Sequence, residues 1–381
     1  MKSVFVIDPG MMEAGGHHAA LLETLIHSKS DDTLVSVLTH KQLDNDLENK
    51  AKKSGIQVHR IFSTNFYQHY EDSLNLHLGG MQHYIRLLAW EYTCALKLAA
   101  EFDSENEVVC FYPCLNWEHA SAISLALTMN SDQHKFTHKV CCMFKPLEID
   151  QQSKFLYKYA FGQLAKHSKV KLFASDWETR GYYYQLGVTI EGIHPCYLLP
   201  WQQLDVIQTK TNSVPHLLLY MGDAKENKGF LLLPSLVKLL LANYNVLLTV
   251  QYTLAWDCPK LADAITQLDE LATEYKQLQL VTQFWSMTEV VRCMNETDLI
   301  LCTYDTQVYQ NKSSGLAWLA SYFNVPVILR SECWLRREFE RLGLPCLINS
   351  SLTLKELPQA AQGDRYYRES LYADLLTWLT E

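Results

Sequence analysis

The sequence lacks the patterns that mark several common functional classes. Its eleven cysteines form no C-x-x-C pair and lie mostly inside apolar runs, which favours buried reduced thiols over disulfides or zinc ligands. It shows no signal peptide and no apolar run of about 18 residues, the length that spans a membrane. These absences predict a cytoplasmic protein, and they leave open a peripheral contact with a membrane or with partner proteins.

Positive charge and phosphate-binding signatures are also scarce. The 33 lysines and arginines are outnumbered by 42 aspartates and glutamates, so the net charge is -9 and we expect no nucleic-acid partner. Neither the dinucleotide pattern G-x-G-x-x-G nor the P-loop pattern G-x-x-x-x-G-K-[ST] occurs, which argues against a dehydrogenase and a P-loop ATPase. No group of side chains offers an obvious metal site, and none is predicted.

What the chain does contain is a regular alternation of short β-branched or aromatic runs with helical stretches. The runs predict strands at 4–8, 34–39, 58–62, 108–112, 140–144, 170–174, 217–220, 246–250, 278–281, 299–302 and 325–329. Helical stretches lie between most of them, for example at 17–26, 82–100 and 153–165. This alternation predicts parallel sheets with helices on both faces.

A lapse in this periodicity divides the chain. Residues 200–215 are mostly polar with a proline at each end, which is typical of a linker. We therefore predict an α/β protein with two doubly wound, Rossmann-like domains, 1–203 and 204–362, facing a central cleft. A helix at 365–379, within the C-terminal segment 363–381, could pack back on the first domain. Ligands bind outside the carboxyl ends of the strands in such sheets, so the active site is expected in the cleft.

The first predicted strand ends in a glycine pair. Gly15 and Gly16 precede a helix that begins near His17. Paired glycines let a backbone approach a ligand closely, so this loop is a candidate binding element. A plain tight turn is the alternative.

A polar cluster follows the strand at 108–112. Asn116, Glu118 and His119 enter the next helix there. A histidine or glutamate there, His119 or Glu118, could act as a general base, orient a hydroxyl or bind a sugar. The alternative is structural: Asn116 caps the helix and His119 is simply hydrogen bonded.

The second domain has a lysine-rich loop after its first strand. Gly222, Lys225 and Lys228 lie between the strand at 217–220 and a leucine-rich helix predicted to open at Lys228-Gly229. Free N–H groups and the helix dipole favour an anion at such a position. The alternative is that the lysines are solvated loop residues.

A second candidate anion site follows the strand at 299–302. Ser313, Ser314 and Gly315 begin a helix there, and small residues at a helix start expose N–H donors. Two such loops beside one sheet, with two lysines, suit a diphosphate better than a single carboxylate.

With these loops the chain resembles the GT-B glycosyltransferases, and most closely glycosyltransferase family 4, along nearly its full length. The phosphate motif of that family, G-R-x-x-x-x-K-G, is matched by Gly222, Lys228 and Gly229. Asp223 stands where the family has an arginine, so Lys225 is predicted to supply the missing charge.

The later motif of the family has two glutamates eight positions apart, before a segment similar to 324–328. Alignment on that segment puts Asn311 at the first glutamate and Leu319 at the second. The family's first glutamate touches the donor sugar and its second holds the ribose. Asn311 could still hydrogen-bond a sugar hydroxyl.

The resemblance implies a metal-independent, retaining glycosyltransferase without a cofactor. The donor is a nucleotide-diphosphate sugar, and the acceptor is a glycan, a lipid-linked molecule or a protein. Lys228, His119 and Asn311 are the predicted catalytic residues. The donor and phosphate residues are Gly15, Gly16, Gly222, Lys225, Lys228, Ser313, Ser314 and Gly315, and the acceptor side has His17, Asn116 and Glu118. Two alternatives remain: a glycosyltransferase fold kept for binding or assembly without catalysis, and a nucleotide-sugar epimerase.

Overall fold

The computed structural model describes most of the chain in two compact units. The described residues are 2–30, 32–64, 66, 78–101, 107–130, 136–145, 151–204, 213–254, 259–354 and 363–381. The first unit is Met1–Gln202 with Ser370–Glu381, and the second is Gln203–Glu369. Each unit is built around its own parallel sheet.

The first unit contains a seven-stranded sheet. Its strands are β1 (Lys2–Asp8), β2 (Thr33–His40), β3 (Gln57–Phe62), β4 (Glu107–Leu115), β5 (Thr137–Cys142), β6 (Val170–Ala174) and β7 (Gly192–Ile193). Its helices are α1 (Gly16–Ser28), α2 (Asn45–Lys53), α3 (Leu78–Glu101), α4 (Trp117–Met129), α5 (Gln151–Leu164) and α6 (Trp177–Gln185). The strands lie in the order β3-β2-β1-β4-β5-β6-β7, and every neighbouring pair is parallel.

The second unit has a six-stranded sheet of the same design. Its strands are β8 (His216–Tyr220), β9 (Leu247–Gln251), β10 (Leu278–Val281), β11 (Leu299–Cys302), β12 (Val327–Leu329) and β13 (Cys346–Ile348). Its helices are α7 (Leu233–Asn243), α8 (Pro259–Glu274), α9 (Met287–Glu296), α10 (Gly315–Tyr322) and α11 (Trp334–Leu342). The order β10-β9-β8-β11-β12-β13 reverses direction beside β8, so loops after β8 and β11 leave the sheet as neighbours at its switch point.

The central strands are apolar because helices cover both faces of each sheet. β1 is buried from Ser3 to Asp8, and β8 is buried along its whole length. One core of the first unit packs β1 residues such as Val4 and Val6 against Leu22 of α1. Strands buried on both faces lack the polar alternation of half-exposed strands, and these apolar runs are what made them predictable.

The prediction of two doubly wound α/β domains with parallel sheets is confirmed, with strand ends shifted by a few residues. The structure adds two short strands, β7 and β13, which were not predicted because two or three residues carry no periodicity. The helix expected to open at Lys228-Gly229 begins at Leu233 instead. Gly229 has a left-handed backbone, with φ 75°, that interrupts it.

The helix predicted at 365–379 is two helices, α12 (Arg365–Leu371) and α13 (Leu375–Thr380). Asp374 separates them, because its carboxylate caps α13 by accepting from the Thr377 N–H at 2.8 Å. Trp378 of α13 packs against Phe111 and Phe173 of the first unit, with ring centres 6.0 and 4.8 Å apart. Across the described residues, every helix is too short or too polar to cross a membrane.

Candidate functional site

The loop after β8 folds a lysine over a glycine. Gly222 has φ 110°, a conformation that other residues rarely adopt, and its N–H donates to Gln251 Oε1 at 2.7 Å. A Cβ on Gly222 would lie 2.9 Å from Lys228 Nζ. The absence of a side chain at Gly222 therefore lets the Lys228 ammonium rest against the backbone.

The same loop is fixed to the loop after β11. The Thr303 hydroxyl donates to the Lys228 carbonyl at 2.8 Å, and the Asp305 N–H donates to the Asn227 carbonyl at 3.0 Å. A Cβ on Gly229 would meet the Thr303 carbonyl oxygen at 2.0 Å, so only glycine fits there. Phe230, which is fully buried, anchors the end of the loop in the core. The two loops thus form one surface.

Two further lysines, Lys225 and Lys312, lie close enough to Lys228 for their charges to act on it. Burial, together with the charges of Lys225 and Lys312, lowers the pKa of Lys228 to about 8, and Asp223 opposes the shift. No carboxylate of the described residues lies within 4.0 Å of Lys228. A half-buried ammonium beside two other lysines is stabilised by an anionic ligand.

Lys225 is already paired. Its ammonium lies 3.2 Å from Asp223 Oδ2, and Asp223 Oδ1 accepts from the Thr253 hydroxyl at 3.0 Å. The Lys225 N–H also donates to the Tyr220 hydroxyl at 3.0 Å. Lys225 was predicted to replace the missing arginine. In the structure it lies beside Asp223, whose carboxylate offsets much of the Lys225 charge.

Lys312 is a third lysine of this site, and sequence reasoning missed it. It directly precedes Ser313, and its ammonium lies 5.6 Å from the centre of the Tyr309 ring. Burial, and next the charge of Lys225, lowers the pKa of Lys312. The sequence did indicate Lys312, because it lies one residue before the serines at the helix start. The prediction rested instead on the serine hydroxyls and the glycine.

The serines and glycine at 313–315 begin α10 as expected. Ser314 is its N-cap, with a hydroxyl that accepts from the Leu316 N–H at 3.4 Å, and Gly315 is its first residue. Asn311 is exposed on the loop before it. Leu319, at the place of the family's ribose-binding glutamate, is buried inside α10 with 7% exposure. The Leu319 side chain is therefore part of the apolar core.

An open pocket of about 570 Å³ lies beyond the carboxyl ends of β9 and β10. It is lined by Tyr252, Thr253, Leu254, Thr282, Gln283 and Phe284. Thr253 also holds Asp223, and Gln251, which accepts from Gly222, donates to the Gln283 carbonyl at 2.8 Å. The pocket and the lysines therefore share one hydrogen-bonded frame.

The other predicted site residues belong to the first unit. Gly15 is the N-cap residue of α1, and Gly16 has φ 78° with no atom within 4 Å of an added Cβ. Burial, and then the neighbouring His18, lowers the pKa of His17 well below 6.5. His18 was not singled out from the sequence, yet its Nδ1 lies 2.7 Å from the buried carboxylate of Asp8.

The polar cluster at 116–119 is internal. The Asn116 side chain accepts from the His119 N–H at 3.0 Å, as an N-cap of α4. His119 has no exposed surface, and its Nδ1 lies 2.7 Å from the Tyr92 hydroxyl. Glu118 is buried as well, with 1% exposure. These contacts are those of the structural alternative, helix capping with a hydrogen-bonded histidine, so the catalytic role of His119 stays a prediction.

Within the described ranges, no group of three or more His, Cys, Asp or Glu side chains could hold a metal ion. The lysine site offers ammonium groups, hydroxyls and backbone N–H groups, all of which bind anions, beside the Asp223 carboxylate that pairs with Lys225.

Comparisons with known proteins bear on the fold. No protein-family model and no curated protein matches the chain. Among solved structures, Anabaena HepE in complex with UDP and glucose is similar with a TM-score of 0.55 at 11% identity, covering 92% of this chain and 86% of that one. UDP-GlcNAc 2-epimerase from Methanocaldococcus jannaschii gives 0.56 at 12% identity, covering 100% and 99%. A glycosyltransferase from Rickettsia africae gives 0.54 at 11%, covering 86% and 78%. The chain therefore shares the GT-B fold of glycosyltransferases and UDP-sugar epimerases.

Proposed function

We propose that the protein is a glycosyltransferase that takes a sugar from a nucleotide-diphosphate sugar. The observation that carries the proposal is the lysine site, in which Lys225, Lys228 and Lys312 come together at the switch point of the second sheet. Asp223 pairs with Lys225, whereas Lys228 and Lys312 have no carboxylate within 4.0 Å among the described residues. Two ammonium groups that no carboxylate neutralises directly suit a diphosphate.

In the transfer, the bond between the anomeric carbon and the diphosphate oxygen breaks, and the anomeric carbon bonds to a hydroxyl oxygen of the acceptor. The acceptor hydroxyl loses its proton, and negative charge develops on the departing diphosphate. Lys228 stays protonated and stabilises that charge from a half-buried position, where electrostatic interactions are stronger than in water. The Ser313 hydroxyl and the N–H groups at the start of α10 add neutral donors. Because lysines meet the phosphate charge, no metal ion is required in this proposal.

The pocket of about 570 Å³ beyond the carboxyl ends of β9 and β10 offers room for the nucleoside. Phe284, which is 39% exposed, gives a base an aromatic surface to stack on. Leu319 cannot bind a ribose hydroxyl, so the ribose is held by other groups, and Thr282 and Gln283 of this pocket have the chemistry to do so. Asn311, exposed on the adjoining loop, stays the candidate contact of the donor sugar.

Two measurements test the proposal. The first is thermal unfolding against a panel of nucleotide-diphosphate sugars, since a ligand that binds only the folded state raises the melting temperature. The second is release of labelled sugar from the best donor, with and without glycan, lipid-linked or protein acceptors. The matched control is Lys228→Gln, which keeps a polar side chain and removes the charge. If neither UDP nor any sugar nucleotide binds to the wild-type protein, the proposal is wrong.

One observation favours an epimerase as a second candidate: the likeness to the Methanocaldococcus epimerase extends over the whole chain. An epimerase converts the donor into its isomer in the absence of an acceptor, so chromatography of the sugar nucleotide distinguishes the two activities. Leu319 and Asn311, in place of the family's glutamates, favour a third outcome, in which the protein binds a donor without turnover. Binding without sugar release or isomer formation identifies that case.

A further inference from the structure

The lysine site raises the question of which ammonium groups contact the ligand. The family pattern pairs one lysine with an arginine, and this chain has Asp223 at the arginine position. From the sequence, Lys225 is the nearest replacement. The structure offers two candidates, Lys225 on the loop after β8 and Lys312 on the loop after β11.

The contacts of Lys225 count against it. Its ammonium lies 3.2 Å from Asp223, and Asp223 is held in place by the Thr253 hydroxyl at 3.0 Å. A diphosphate approaching Lys225 would also approach this carboxylate, and the repulsion offsets most of the attraction. Lys225 and Asp223 together add almost no net charge.

Lys312 is placed differently. In the described residues it has no carboxylate within 4.0 Å, and its ammonium lies 5.6 Å from the Tyr309 ring centre. The Tyr309 ring is itself packed 4.5 Å from that of Tyr304, which is buried. A cation beside an aromatic ring is partly positioned and keeps its donors for a further partner.

Lys228 and Lys312 lie on the loops that follow two neighbouring strands, β8 and β11, and hydrogen bonds hold these loops together. The hydrogen bonds from Thr303 to the Lys228 carbonyl and from Asp305 to the Asn227 carbonyl join the two loops. The charge of Lys312 acts on Lys228 directly. A ligand that lies between the two ammonium groups removes their mutual repulsion.

Resting on the proposed function, we propose that Lys228 and Lys312 together bind the diphosphate, and that Asp223 neutralises Lys225. The ligand class follows from the pair: two ammonium groups on separate loops match two adjacent phosphoryl groups, as in a nucleoside diphosphate or inorganic pyrophosphate, better than one phosphate or carboxylate. Lys312 thereby takes the part that the arginine has in the family motif.

The test is calorimetric titration of UDP and of inorganic pyrophosphate into wild type and matched variants. Lys312→Ala should lower the affinity for both ligands about tenfold or more, the loss typical of a hydrogen bond between charged groups. Lys312→Arg should restore most of that affinity. The double variant Asp223→Asn with Lys225→Gln removes the ion pair without changing the net charge. It should stay within about threefold of wild type. Lys238→Ala, an exposed lysine of α7, is the control for an unspecific charge effect.

The outcomes separate this inference from the proposed function. If Lys228→Gln loses affinity and Lys312→Ala does not, Lys312 has no part in the site while the diphosphate proposal stands. If the double variant loses more affinity than Lys312→Ala, Lys225 is the second cation and the inference is wrong. If wild type binds neither UDP nor pyrophosphate, both proposals fail. As a second readout, pyrophosphate should protect Lys312, and not Lys238, from acetylation followed by mass spectrometry.

Discussion

Replacing Lys228 by methionine should make the ligand-free protein more stable while abolishing diphosphate binding. Methionine keeps much of the unbranched stem and removes the ammonium that burial, Lys225 and Lys312 disfavour. The pKa of Lys228 lies at about 8, against the ordinary 10.5. That difference corresponds to roughly 3 kcal/mol of unfavourable free energy for the charged form in the folded state. Lost contacts of the Nζ group reduce the expected gain to about 1–3 kcal/mol.

The sign of the pH dependence follows from the same values. The folded-state pKa of Lys228, about 8, is lower than the unfolded one, so the unfolded chain binds more protons between about pH 8 and 10.5. The contribution of Lys228 to stability therefore rises with pH across that window, and the whole penalty is present below pH 8. Relative to Lys228→Met, the wild type should gain stability from pH 7.5 to pH 9.5, and the advantage of the variant should shrink.

Urea unfolding of both proteins at several pH values measures this difference, and titration of UDP measures the loss of binding. Saturating UDP should stabilise the wild type and leave Lys228→Met unchanged. A variant that is less stable than wild type at pH 7 and still binds UDP would refute the reasoning, because the lysine would then be a structural residue with no strained charge.

Three further predictions follow from the site. UDP affinity should fall as the pH rises through about 8, because Lys228 loses its proton there. Calorimetry from pH 7 to 9 measures this, and an affinity that does not change with pH contradicts a role for the Lys228 charge. Gly222→Ala should lower the unfolding free energy by about 1–3 kcal/mol and also weaken UDP binding, because its φ of 110° strains an alanine and the new methyl displaces the Lys228 ammonium. Its control is Gly187→Ala, which carries strain alone at φ 77° with no atom within 4 Å of the added Cβ and should leave UDP affinity unchanged. Sugar release should survive EDTA, since lysines and helix N–H groups meet the phosphate charge; activity lost in EDTA and restored by magnesium or manganese would show that a metal is needed.

The sequence by itself determined the fold class. Strands such as β8 are buried on both faces, and their unbroken apolar runs alternate with longer helical patterns, so parallel sheets follow from the sequence pattern alone. The sequence also singled out Gly222 and Lys228 as candidate site residues, because their spacing is that of a family motif. Local patterns of this kind need no knowledge of what packs against them.

Tertiary structure decided what the local pattern could not. The start of α7 moved to Leu233 because Gly229 packs against Thr303, a residue more than seventy positions away along the chain. His119 is internal because Tyr92 of α3 reaches its ring, although its sequence position after a strand looked like that of an accessible base.

The lysine site shows the same division most clearly. Sequence proximity favoured Lys225 as the replacement for the missing arginine, since it lies two residues after Asp223. The fold pairs those two residues with each other and brings Lys312 to Lys228 from the loop after another strand. Net charge at a point in space is a sum over residues that the topology brings together. The loop after β8 was therefore enough to predict an anion site. Only the arrangement of β8 beside β11 shows which lysines are available to bind the anion.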